Sequence, residues 1–89
     1  MDYNKAMNVV NNEIYNERKR QNIKWGYQEH TDAEWLVIAM EEVGEVCQAV
    51  QQGGFASKET DASDTYKELI QAAAVLSAWA EQVLRDKKE

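Results

Sequence analysis

Apolar residues recur at three- and four-residue steps in three long stretches of this chain. From about Asp2 to Gln21 they are Tyr3, Ala6, Met7, Val10, Ile14 and Tyr15. From about Asp32 to Gln52 they are Trp35, Leu36, Ile38, Ala39, Val43, Val46, Cys47 and Val50. From about Ala62 to Arg85 they are Tyr66, Leu69, Ile70, Ala73, Ala74, Leu76, Trp79, Ala80, Val83 and Leu84. That spacing places each set on one helical face. The pattern predicts three helices and an all-α chain folded as an antiparallel helical bundle. The chain has no proline, and its glycines are Gly26, Gly44, Gly53 and Gly54, so little interrupts the helices.

Local signals set the boundaries. Thr31-Asp32-Ala33-Glu34 fits a capping box opening the second helix. Gly53-Gly54 supplies a stop, because glycine accepts the left-handed backbone at a helix end. A polar connection over Phe55 to Ala62 follows, and Asp61 or Ser63 can cap the third helix. Asn4, Asn8, Asn11 and Asn12 weaken the first helix, so packing must support it. In the third helix, Gln71 to Ala80 is almost continuously small or apolar, which requires cover on more than one side. One flanking helix covers one side, and a second subunit is expected on the other, giving a homo-oligomer.

Length and charge narrow the function. Eighty-nine residues make one domain. A net charge of −6 argues against binding a nucleic acid polymer, though a bound cation can reverse the local sign for a small anion. Cys47 is the only cysteine and His30 the only histidine, so neither an internal disulfide nor a cysteine-rich zinc site can form. Cys47 reads as a small core residue and suits a reducing cytoplasm. There is no export signal and no apolar run of about 18 residues, so no membrane span is expected.

The second helix carries Glu41-Glu42-Val43-Gly44-Glu45 in an otherwise apolar pattern. Glu42 and Glu45 share a face and repel unless a proton or cation neutralises them. Gly44 costs roughly 1 kcal/mol in mid-helix and suggests another helix passing close by. Asp64, Glu68 and Gln71 share a face at the start of the third helix. In an antiparallel pair, Glu42, Glu45, Glu68 and Gln71 can meet, and such an oxygen set suits a hard cation. The alternative is a solvated acidic stripe. Two further features stay open in the same way. Glu17-Arg18-Lys19-Arg20 is either a solvated helix end or a set of cations facing phosphates. Lys24-Trp25-Gly26-Tyr27, in a predicted loop from Asn22 to His30, either caps the bundle or frames a nucleobase.

Glu41-Glu42-x-x-Glu45 followed by Glu68-x-x-Gln71 resembles the EExxE…ExxD signature of the MazG-like all-α nucleoside triphosphate pyrophosphohydrolases. Lys24-Trp25-Gly26, Trp35-Leu36 and the run Lys67 to Ala74 extend the resemblance, which covers roughly Arg18 to Glu81. It implies Mg²⁺, or Mn²⁺, held by Glu42, Glu45 and Glu68. Gln71 stands in the place of the family's final aspartate, and its amide oxygen can ligate but adds no charge. The implied reaction is hydrolysis of a (d)NTP to the monophosphate and pyrophosphate, in a dimer or tetramer. Glu41 or Glu45 would act as base. Lys24, Arg18 and Lys67 would contact phosphate, with Trp25 stacking on the base. The missing acid leaves a second reading: a catalytically weak or inactive helical oligomer that binds nucleotide or a protein partner.

Overall fold

A computed structural model describes residues 1–55 and 65–88. It consists of α1 (Tyr3–Trp25), α2 (Asp32–Phe55) and α3 (Thr65–Lys88), with no strand among the described residues. The chain is all-α, as its periodicity predicts. None of these helices is long and apolar enough to cross a membrane. The expected Asp61 or Ser63 cap, the third-helix start at Ala62, the bulk of the Phe55–Ala62 connection and Asp64 lie outside the described residues.

Two helix starts are capped. The Asp2 carboxylate accepts from the Lys5 backbone N–H at 2.8 Å, relieving one of the orphan donors of the first turn. At α2, Glu34 N–H donates to Thr31 Oγ1 at 3.1 Å, and Thr31 N–H donates to Glu34 Oε1 at 2.8 Å. The backbone hydrogen bond from Thr31, followed by the one from its side chain, holds the Glu34 carboxyl below its ordinary range.

Three boundaries differ from the sequence expectation. α1 continues past Gln21 to Trp25, because the first residue that ends it is Gly26, at φ +76°, whose N–H closes on Asn22 O at 2.9 Å. Lys24 and Trp25 therefore stand on a helix and not in a loop. α2 runs through Gly53 and Gly54 to Phe55. α3 reaches Lys88 and not Arg85.

α3 is the central element. α2 runs antiparallel along it: Trp79 Nε1 donates to Asp32 Oδ1 at 2.9 Å at one end, and Glu42 and Glu45 approach Glu68 farther along. α1 rests on α3 as well, and its backbone does not approach α2. Arg18 fastens it, donating from Nε and Nη2 to Glu81 at 2.8 and 2.7 Å. Such bidentate pairing is the strongest form of Arg–carboxylate contact. The two-sided cover demanded by the third helix is thus met in part within the chain, by α1, where a second subunit was expected.

The buried core is small-sided: Trp35 and Ala39 on α2 meet Val75 and Ala78 on α3, with Ile38 and Trp79 packed at the edge. Ala49, Ala72 and Ala74 are buried too. Small residues let the helix axes draw close. Larger apolar residues stay outside: Leu36, Met40, Val43 and Val50 on α2, and Leu69, Leu76 and Val83 on α3. Two expectations fall here. Cys47 is exposed and is no core residue. A Cβ placed on Gly44 would have no atom within 4 Å, so no helix of the same chain passes close to it. Both lie on faces of α2 turned away from α3, and periodicity alone does not say which of two apolar faces is covered. On α1, Tyr3, Met7 and Tyr15 are also exposed.

Candidate metal centre and cleft

Because α1 and α2 both lean on α3 but not on each other, a cleft opens between them with α3 as its floor. Its volume is about 670 Å³. One wall is the last two turns of α1, with Arg18, Gln21, Asn22 and Trp25. The connecting loop adds Gly26, Tyr27 and Gln28, and α2 contributes Trp35, Ile38 and Glu42. Along the floor run Gln71, Val75, Ala78 and Glu81, then Leu84 and Arg85. A helix rises about 1.5 Å per residue, so this floor is about 20 Å long. Such a cleft, largely apolar with a few converging polar groups, has the character of a small-molecule site.

Glu42, at one end of the cleft, belongs to the acidic cluster expected from the sequence; Glu45 and Glu68 adjoin it without lining the cleft. One oxygen from each of Glu42, Glu45 and Glu68 can be found within 4.8 Å of the other two. Glu42 and Glu68 are half-buried and Glu45 is exposed. Burial, reinforced by the negative charge of Glu45 and then of Glu68, raises the Glu42 carboxyl above its ordinary value; a hydrogen bond with Glu45 and the charge of Glu41 push the same way. This group resists ionisation as it stands and ionises readily beside a cation. Three convergent carboxylates match what Mg²⁺ or Mn²⁺ takes from protein, oxygen donors with positions left for water and phosphate. Glu41 is exposed and lies outside the convergent three. Gln71 is half-buried on the cleft floor next to them.

The predicted phosphate and base contacts divide. Trp25 lines the cleft. Lys24 does not, and its ammonium sits over the Trp25 ring at 4.8 Å from the centroid. Lys67 is on α3 beside Glu68 and is absent from the cleft lining. Arg18 lines the cleft, but its guanidinium is taken up by Glu81 and by Gln21 Oε1 at 3.0 Å. The Glu81 hydrogen bond raises the Arg18 pKa, and the same bond holds the Glu81 carboxyl below its ordinary range. Arg18 is thus first a tie between α1 and α3.

Sequence reasoning missed the amide side chains of the cleft, Gln21, Asn22 and Gln28, and it missed Gln82. The Gln82 Oε1 atom accepts from Trp35 Nε1 at 2.9 Å and from His30 N–H at 3.1 Å, while its Nε2 donates to His30 O at 2.8 Å. The His30 ring stands edge-on to Trp35, with centroids 4.7 Å apart. These partners are about fifty residues away in sequence, and no local pattern announces them.

No family model, curated protein or solved structure matches this chain.

Proposed function

We propose that the chain is a Mg²⁺-dependent nucleoside triphosphate pyrophosphohydrolase of the MazG-like kind, acting on (d)NTPs in the cytoplasm as a homo-oligomer. The observation that carries this reading is the convergence of Glu42, Glu45 and Glu68, of which Glu42 lines one end of a cleft whose walls hold Trp25, Tyr27 and Trp35. Phosphates need cations and bases need flat surfaces, and the cleft offers an acidic metal-holding end and an aromatic middle.

Glu42, Glu45 and Glu68 would hold the ion, with the Gln71 amide oxygen as a neutral neighbour. When bound, Mg²⁺ offsets the charge that develops on the phosphates and makes water a better nucleophile. Water attacks between the α- and β-phosphates, the phosphoanhydride bond between them breaks, and the pyrophosphate leaves with the bridging oxygen. The proton lost by water passes to a carboxylate not fully engaged with the ion, Glu41 or the exposed Glu45. Trp25 stacks on the base. Arg18 serves phosphate only through a guanidinium edge that Glu81 and Gln21 leave open, so its first role is to hold the α1 wall.

The uncovered rows support the oligomer. On α2, Leu36, Met40, Val43, Cys47 and Val50 alternate steps of four and three. On α3, Leu69, Ala73, Leu76, Ala80 and Val83 do the same. Such steps make the seam of a helical bundle. At about 100° per residue, the α2 row and the cleft residues Ile38 and Glu42 flank buried Trp35 and Ala39 on opposite sides. A second copy seated on these rows would therefore leave the cleft open.

The direct test is pyrophosphate release from a panel of NTPs and dNTPs with Mg²⁺. No release from any of them ends the hydrolase reading. Binding without release would establish the second reading, an inactive nucleotide-binding oligomer, which is favoured by Gln71 standing where the fourth acid is expected.

A further inference from the structure

We propose that Gln82 is a positioning residue for the nucleoside end of the cleft, an inference that rests on the cleft being a nucleotide site. Gln82 does not line the cleft. It acts on two things that do. Its Oε1 takes the indole N–H of Trp35, a ring only 4% exposed whose donor would otherwise be buried without a partner. Its Oε1 and Nε2 also make a two-way pair with the backbone of His30. That pair anchors the end of the Gly26–Thr31 connection to α3. Tyr27 and Gln28, cleft-wall residues, sit three and two positions before the anchor. One amide thus sets the Trp35 wall and the Tyr27–Gln28 wall relative to a common floor.

The chemistry requires glutamine. The position needs an acceptor that serves two N–H groups and a donor for a carbonyl, on one planar group. Glutamate keeps the acceptors and loses the donor, and methionine loses all three bonds at nearly the same volume. Neither change touches Glu42, Glu45 or Glu68, which lie toward the other end of the floor.

The test compares two ligands by calorimetry on the full chain with Mg²⁺: a set of α,β-imido deoxynucleoside triphosphates, which cannot be cleaved at that bond, and inorganic pyrophosphate, which engages the metal end alone. Gln82→Met is expected to weaken the imido nucleotide about tenfold, equivalent to about 1.4 kcal/mol, and to leave pyrophosphate unchanged. Gln82→Glu, which retains the Trp35 and His30 N–H contacts and loses only the donor to His30 O, should weaken the imido nucleotide about threefold and leave pyrophosphate unchanged. It also carries the test if the methionine variant does not fold. Equal weakening of both ligands would show a general packing role and overturn the inference, as would unchanged nucleotide binding. A wild-type chain that binds pyrophosphate but no imido nucleotide would instead remove the nucleotide reading of the cleft, and this inference with it.

Discussion

Replacing Glu42 by glutamine should stabilise the metal-free protein and remove its response to Mg²⁺. The three carboxylates of the cluster lie within 4.8 Å of one another. Two unit charges at about that distance repel by about 1 kcal/mol in water and by about 3 to 4 kcal/mol at an effective dielectric constant near 20. Glu45 is exposed and Glu42 only half-buried, so the screened end of that range applies. Glu42→Gln removes the two repulsions that involve Glu42, and the net gain at pH 7 is about 1–2 kcal/mol. For a domain of this size, each kcal/mol moves Tm by about 4–8 °C. Mg²⁺ should reverse the order: at a hundredfold excess over Kd it stabilises the wild type by about 2.7 kcal/mol, and the variant by far less. Because the folded-state pKa of Glu42 is raised, the native state holds its proton more tightly than the unfolded chain does. Apo stability should therefore rise as pH falls from neutrality through that pKa, and this rise should be missing in Glu42→Gln. Below the ordinary carboxylate range the trend turns, since the lowered pKa of Glu81 means that the tie to Arg18 is lost as pH falls through it. Thermal melts at fixed protein concentration, with EDTA and with Mg²⁺, read all of this. A variant that melts lower than wild type in EDTA, or gains as much from Mg²⁺, would refute the electrostatic account of the cluster.

Gln71→Asp adds a fourth acid beside the cluster; it should tighten Mg²⁺ binding by about tenfold or more and lower the EDTA melting point, given like-charge energies of about 1 kcal/mol, and calorimetry showing no gain in metal affinity would remove Gln71 from the metal's surroundings. Arg18→Met breaks the bidentate tie to Glu81; with Glu81 half-exposed the expected loss is about 1 kcal/mol, and an unchanged melt would mean that α1 is held on α3 by apolar contact alone. Met40→Glu and Leu76→Glu place charge on the two exposed apolar rows; light scattering should show an oligomer in the wild type and a monomer in the variants, and a monomeric wild type would contradict the proposed second copy.

What could be read in advance depended on distance along the chain. The capping box at Thr31–Glu34 is an i to i+3 exchange, and it formed with both hydrogen bonds. Glu42 and Glu45 share a face by the same arithmetic, and the antiparallel run of α2 and α3 then brings Glu68 to them. Contacts between distant residues left no trace in periodicity. Arg18 reads as a free cation at a helix end until Glu81, sixty-three positions on, is seen to bind it. The partners of Gln82 were equally hidden, about fifty residues back.

The misreadings of Cys47 and Gly44 share one cause, the assumption that α2 has a single apolar face. α2 has two, and their residue sizes are the reverse of what a self-sufficient monomer would show. The face against α3 is built from Trp35 and Ala39, meeting Val75 and Ala78, with Ile38 and Trp79 at the edge. Leu36, Met40, Leu69 and Leu76, which would contribute most if buried, are about half exposed. Burying a leucine-sized side chain is worth about 1.5–3 kcal/mol, and this row leaves about half of each such side chain in water. Close approach of α2 and α3 explains the alanines, and the proposed second copy explains the leucines and methionine. Cys47 and Gly44 then need no partner in their own chain. Cys47 belongs to the outer row. Gly44, with open space where its Cβ would be, leaves the flank of that row low enough for another helix to cross.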